Sequence, residues 1–75
     1  MNKIDKLKER LTYFVKEETS QTNIKIPNRV VCGFKLEIVG TVIQDLLKDK
    51  YNKDFKFVDY IEDDNGYIYN FNVNQ

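Results

Sequence analysis

The chain has no histidine, no tryptophan and no alanine, and only one cysteine, one proline and three glycines in 75 residues. Each shortage removes a class of protein. A single thiol, Cys32, cannot close an intrachain disulfide, and one cysteine with no histidine is too few for a structural zinc site. No imidazole exists to activate Cys32 as a nucleophile, and its place on the apolar face of an alternating segment predicts an inert core thiol. The glycines, at 33, 40 and 66, are too scattered for a phosphate-cradling loop. No apolar run approaches the ~18 residues of a spanning helix. The start, Met1-Asn2-Lys3-Ile4-Asp5-Lys6, is charged with no apolar segment behind it, so no secretory leader is expected. A reducing, cytoplasmic setting is the expectation. No motif calls for a cofactor, a metal ion or a catalytic residue, and an enzyme is the least expected class.

Such a length makes one domain, residues 1–75, with a thin core, because a chain this short buries only about 60% of the surface it exposes unfolded. Without disulfide or metal, the core or an interface must hold the fold. Twelve basic and twelve acidic side chains cancel, but unevenly along the chain. Residues 1–36 carry eight bases against four acids (+4), and residues 37–75 carry four bases against eight acids (−4). This excludes a uniformly basic nucleic-acid binder and a whole-surface mimic of DNA. The abundance of Lys, Asn, Ile, Tyr and Asp matches AT-rich coding sequence, as in many small bacterial and phage reading frames.

Residues 2–19 read as an amphipathic helix, with Ile4, Leu7, Leu11 and Phe14 in one stripe, Val15 beside it and Asn2 as N-cap. Thr19 to Asn23 is a polar loop. Ile24 and Ile26 alternate up to Pro27-Asn28, a turn or a short edge segment. From Val30 to Val39 apolar groups recur with period two, which predicts a strand near 29–39 with Gly33 as a bulge or a close approach of another backbone. Thr41-Val42-Ile43-Gln44 fits a capping box and predicts a helix over 41–51; the competing reading is a longer helix from near Phe34. Residues 55–62 and 67–74 flank Asp63-Asp64-Asn65-Gly66 and predict a hairpin, Asn-Gly favouring positive φ. A two-residue loop would place Tyr67, Tyr69, Phe71 and Val73 on the face of Tyr60 and Val58. A three-residue loop would put them with Ile61 and Phe57, the more apolar choice. The expected fold is α+β: a small three-stranded, mostly antiparallel sheet with two helices packed on one face, in the order α-β-α-β-β.

Two surfaces stand out. The hairpin carries Tyr60, Tyr67 and Tyr69 among Asp59, Glu62, Asp63 and Asp64, and its first strand has apolar groups on both faces. Tyrosine is enriched where proteins meet. The expected function is therefore a non-enzymatic protein-binding module, in the manner of a phage- or mobile-element-encoded inhibitor of a host or defence enzyme. Its partner would be another protein or a second copy in a homodimer. The acids of the turn do not fit a calcium loop, because the frame would put Ile61 at the first ligand position. The alternative is a small nucleic-acid-binding regulator, contacting phosphate through Lys3, Lys6, Lys8 and Arg10 of the first helix. Gln44-Asp45-Leu46-Leu47 with Tyr51 faintly resembles a clamp-docking peptide, but it lies in a helix.

Overall fold

A computed structural model of the chain describes residues 3–17 and 22–74. The elements are α1 (Lys3–Glu17), β1 (Asn23–Pro27), α2 (Asn28–Val31), α3 (Leu36–Tyr51), β2 (Asp54–Asp63) and β3 (Gly66–Asn74). The strands form one antiparallel sheet in the order β1-β3-β2, so the hairpin β2–β3 is completed by β1 on the far side of β3. The class is α+β, as expected, with three helices rather than two. The Asn2 cap, Glu18 and the loop at 19–21 lie outside the described residues. Among the described residues no helix is long and apolar enough to cross a membrane.

In α1 the residues that reach the core are Leu7, Leu11 and Val15, four apart, while Ile4 is 41% exposed and Phe14 half-buried. The stripe is thus turned slightly from the expected one. Its partners are Ile24 and Ile26 of β1, Val39, Val42, Ile43 and Leu47 of α3, and Phe55, Tyr69 and Phe71 of the hairpin. Alternate side chains of a strand share a face. Ile24 and Ile26 therefore point to the helices and Lys25 points away.

The strand expected near 29–39 is not there. Residues 28–31 form the single turn of α2, residues 32–35 form a bend, and α3 starts at Leu36, five residues before Thr41. The longer-helix reading is the correct one. At Cys32 the backbone has φ −59° and ψ 127°, Gly33 has φ 89°, and the Phe34 N–H donates to the Val31 carbonyl at 3.1 Å. Those values describe a type II turn, whose third position demands glycine. Gly33 is therefore a turn residue and not a bulge. Cys32, expected in the core, is exposed at the turn. Thr41 does not cap: its Oγ1 donates to the Glu37 carbonyl one turn earlier, at 3.1 Å. The helix starts from extended Lys35 and stops at Asn52, which adopts the left-handed conformation and donates its N–H to the Lys48 carbonyl at 2.8 Å. Gly40 sits inside α3 against the ring of Phe57. A Cβ there would stand 2.6 Å from Cζ of that ring. The missing side chain is what lets β2 approach the helix.

The hairpin follows the two-residue loop at its tip: Asp63 faces Gly66, Glu62 faces Tyr67 and Tyr60 faces Tyr69. A bulge at Val58 then shifts the register, so that Phe57 faces Phe71 and Phe55 faces Val73. One extra residue changes which face the following side chains occupy. Phe55, Phe57 and Tyr60 therefore share the helix-covered face, where Phe57 and Tyr60 each lie within 6 Å of the Tyr69 ring. Tyr60 thereby joins the covered face, while Val58 and Ile61 are left exposed. Among the described residues only Gly33 and Asn52 have positive φ, so the Asn65-Gly66 pair is not used for left-handed backbone. Gly66 serves proximity instead: a Cβ would strike the Ile26 carbonyl and stand 2.9 Å from Asn28 N.

Candidate interaction surfaces

The sheet order converts the charge split along the chain into a split across the molecule. The basic first half supplies α1, β1 and α2 on one side of β3, and the acidic second half supplies β2 and α3 on the other. Two surfaces result.

The first is the outer edge of β2. The Phe71 N–H donates to the Thr22 carbonyl (2.8 Å) and the Asn28 N–H to the Asn65 carbonyl (3.0 Å). Alternate residues of β3 thus address β1, and those between address β2. Through the register, Asp59, Ile61 and Asp63 exchange hydrogen bonds with β3, while the backbones of Phe55, Phe57, Tyr60 and Glu62 turn outward. Two of these four are satisfied within the chain. The Phe55 N–H donates to the Lys53 carbonyl (3.2 Å), and the Phe57 N–H donates to Oε1 of Gln44 on α3 (2.6 Å). Beyond the bulge the edge is open at Tyr60 and Glu62. Val58 and Ile61, 51% and 56% exposed, stand on the same stretch.

The hairpin residues expected to bind a partner divide accordingly. Tyr69 is fully buried, its hydroxyl donating to the Leu36 carbonyl at 3.1 Å, and burial pushes its phenol pKa up. It is a core residue and no anchor. Tyr60 and Tyr67 are half-buried and pack edge-to-face, with centroids 6.0 Å apart. Asp59 is exposed and accepts from Asn70 Nδ2 at 2.7 Å. Glu62 and Asp64 are exposed at the edge and tip. Asp63 is bound across the sheet by Lys25 Nζ at 2.8 Å, which holds its carboxyl below the ordinary value, while the carboxylate raises Lys25. Val58 and Ile61 take the place that sequence reasoning gave to Tyr69. The signal that hides them is the bulge, which no local pattern announces.

The second surface is a shallow groove on the opposite side. On α1, Lys3, Lys6, Arg10 and Tyr13 recur at spacings of three, four and three, and they flank the buried stripe on the side of α2. Arg29 of α2 comes to the same groove, beside Phe14 and Val30. Lys8 falls on the other flank of the stripe, so the four expected phosphate contacts divide three to one. Tyr13 and Arg29 were not foreseen. Tyr13 continues the basic spacing by one step, but Arg29 reaches the groove only because α2 follows directly on β1.

Among the described residues no three acidic or cysteine side chains converge as a metal site would require. No protein-family model matches the chain, and comparison with curated proteins and with solved structures finds no match.

Proposed function

We propose that this protein is a non-enzymatic protein-binding module that takes an extended segment of a partner protein onto the free edge of β2. The observation behind this reading is the pair of outward-facing backbones at Tyr60 and Glu62, beside exposed Val58 and Ile61. Strand addition draws affinity from main-chain hydrogen bonds and specificity from alternate side chains. Charge selects the partner. From Val58 to Asp63 the edge holds three carboxylates and no base. Two copies joined edge to edge with Tyr60 opposite Glu62 would set Asp59 of each strand opposite Asp63 of the other, so a homodimer is disfavoured and a basic segment favoured. Such a module acts by occupying its partner, which is how a small inhibitor of a host or defence enzyme works without catalytic groups.

Affinity purification with the wild-type chain and two edge variants tests the reading. Glu62→Pro removes an outward N–H without breaking a bond to β3, because proline is tolerated on that side of an edge strand. Glu62→Gln keeps the N–H and removes the charge. The wild type should recover a partner that Glu62→Pro loses and Glu62→Gln retains more weakly. Titrated into isotopically labelled protein, that partner should protect the Tyr60 and Glu62 amides from exchange. Equal recovery by Glu62→Pro would refute the edge as the docking site. A wild-type dimer by light scattering that Glu62→Pro abolishes would replace the heterologous partner with self-association.

A further inference from the structure

The groove between α1 and α2 has a chemistry that strand addition at β2 does not use. Arg10 and Arg29, from different elements, line a common hollow together with Tyr13. Neither arginine is ion-paired among the described residues; the two bridges there are Lys25–Asp63 and Lys48–Asp54. The continuation of the groove along α1 adds Lys3 and Lys6, and among the described residues no carboxylate lines either stretch. Tyr13 is 63% exposed, the most exposed large apolar side chain described. Its ring packs edge-to-face on Phe14, centroids 5.4 Å apart at 88°.

We propose that this groove binds a single-stranded nucleic acid, with phosphates on Arg10 and Arg29 and a base stacked on Tyr13. Cations that track a backbone beside an aromatic ring are the working parts of such sites, and stacking does not depend on base identity. A duplex keeps its bases inside the stack and offers no free face to Tyr13. An acidic peptide would satisfy the arginines but has no group that requires the tyrosine. A single strand uses both.

Fluorescence anisotropy with a labelled 15-nucleotide oligothymidine tests this on the full chain, against a duplex of equal length and a glutamate-rich peptide. Neutralising two phosphates gives a slope of about −1.4 in log affinity against log salt, so affinity should fall about sevenfold from 50 to 200 mM. Arg10→Ala and Arg29→Ala should each make the slope shallower by about 0.7. Tyr13→Ala should weaken binding about tenfold and leave the slope unchanged. All three side chains are exposed, and circular dichroism checks that the variants fold. Glu62→Pro should leave this binding intact, which separates it from the β2 edge. No binding at 50 mM salt, a duplex or peptide bound as tightly as the single strand, or indifference to Tyr13→Ala would each overturn the proposal.

Discussion

The two outer edges of the sheet meet the same hazard by different means, and the difference locates the surface at which a partner would add. An edge strand exposes unpaired backbone groups that invite another chain. β1 is five residues long, carries Lys25 on its outer face and ends in Pro27, which has no N–H to offer. It is held to β3 by backbone proximity at Gly66. β2 is ten residues long and lies against α3 through side chains: Phe57 on Gly40, and Gln44 on the Phe57 N–H. That cover ends at the bulge. Beyond Val58 nothing among the described residues takes the outward groups of Tyr60 and Glu62. The β1 edge is short and ends in proline, and the β2 edge is long and half closed.

Gly66→Ala should have the largest effect, because it attacks the backbone contact on which β1 depends. The new methyl would meet the Ile26 carbonyl, Pro27 Cα and Asn28 N, none of which can rotate aside. Urea unfolding should show a loss of about 3 kcal/mol, the upper end of ordinary overpacking. Amide exchange should accelerate at Ile24 and Ile26 more than in β2. A neutral Gly66→Ala would mean that β1 is not held by proximity. Gly40→Ala tests the other side. Alanine favours a helix over glycine by about 1 kcal/mol, yet the methyl must displace the Phe57 ring, at a cost of roughly 1–3 kcal/mol. The net expectation is a loss of about 1 kcal/mol. Combining it with Phe57→Leu should give a coupling that restores part of that loss, which a double-mutant cycle reads directly.

How much of this was legible in the sequence depends on how local the cause was. The hairpin was, since alternation on both sides of Asp63-Asp64-Asn65-Gly66 needs no tertiary information. So was α1, from a long 3.6-residue period. The bulge at Val58 was not, because its cause lies in α3: Phe57 must reach Gly40 while Tyr60 reaches Tyr69, and only an extra residue puts both on one face. The segment 29–39 misled for a different reason. Val30, Cys32, Phe34, Leu36 and Ile38 alternate by accident of composition, and β-branched residues favour strands only weakly. Leu36, Val39, Ile43 and Leu47 carry the helical spacing that prevails once Gly33 turns the chain. Of the candidate surfaces, the basic flank Lys3, Lys6 and Arg10 was visible as helical spacing. Its completion by Arg29, and the withdrawal of Tyr69 into the core, were set by contacts distant in sequence.

Gln44→Leu sharpens the contrast between the covered and open halves of β2. Leucine keeps most of the volume and removes the acceptor for the Phe57 N–H, so stability should drop by about 1 kcal/mol. The larger consequence is topological. The open stretch would lengthen from Tyr60–Glu62 to include Phe57, and the variant should associate at concentrations where the wild type stays monomeric. Sedimentation velocity across a concentration series reads this. Unchanged association would show that the bulge alone, without Gln44, protects the first half of the edge.

The smallest effect, and the one that ties the two sides together, is the Lys25–Asp63 bridge across the sheet. The Lys25 ammonium depresses the Asp63 carboxyl below its ordinary value near 3.8, and the carboxylate raises Lys25 above its ordinary value near 10.5. A carboxyl depressed by folding stabilises above its unfolded pKa, and the contribution is lost as pH falls through the lower folded value. An amine raised by folding stabilises below its unfolded pKa, and the contribution is lost as pH rises through the higher folded value. The bridge therefore acts across the wide neutral window between those two titrations. Both groups are in contact with solvent, so salt screens them. Thermal melts of the wild type and Asp63→Asn should differ slightly at pH 7 in low salt. They should converge both at 0.5 M salt and on acidification below the range where Asp63 ionises. A difference that persists in acid would assign the role of Asp63 to its hydrogen bonding in the turn, since a protonated carboxyl and an amide are both neutral and differ only in how they bond. In that case β1 would be held at its end by Gly66 and the Asn28–Asn65 hydrogen bond alone, and the two edges would be electrostatically independent.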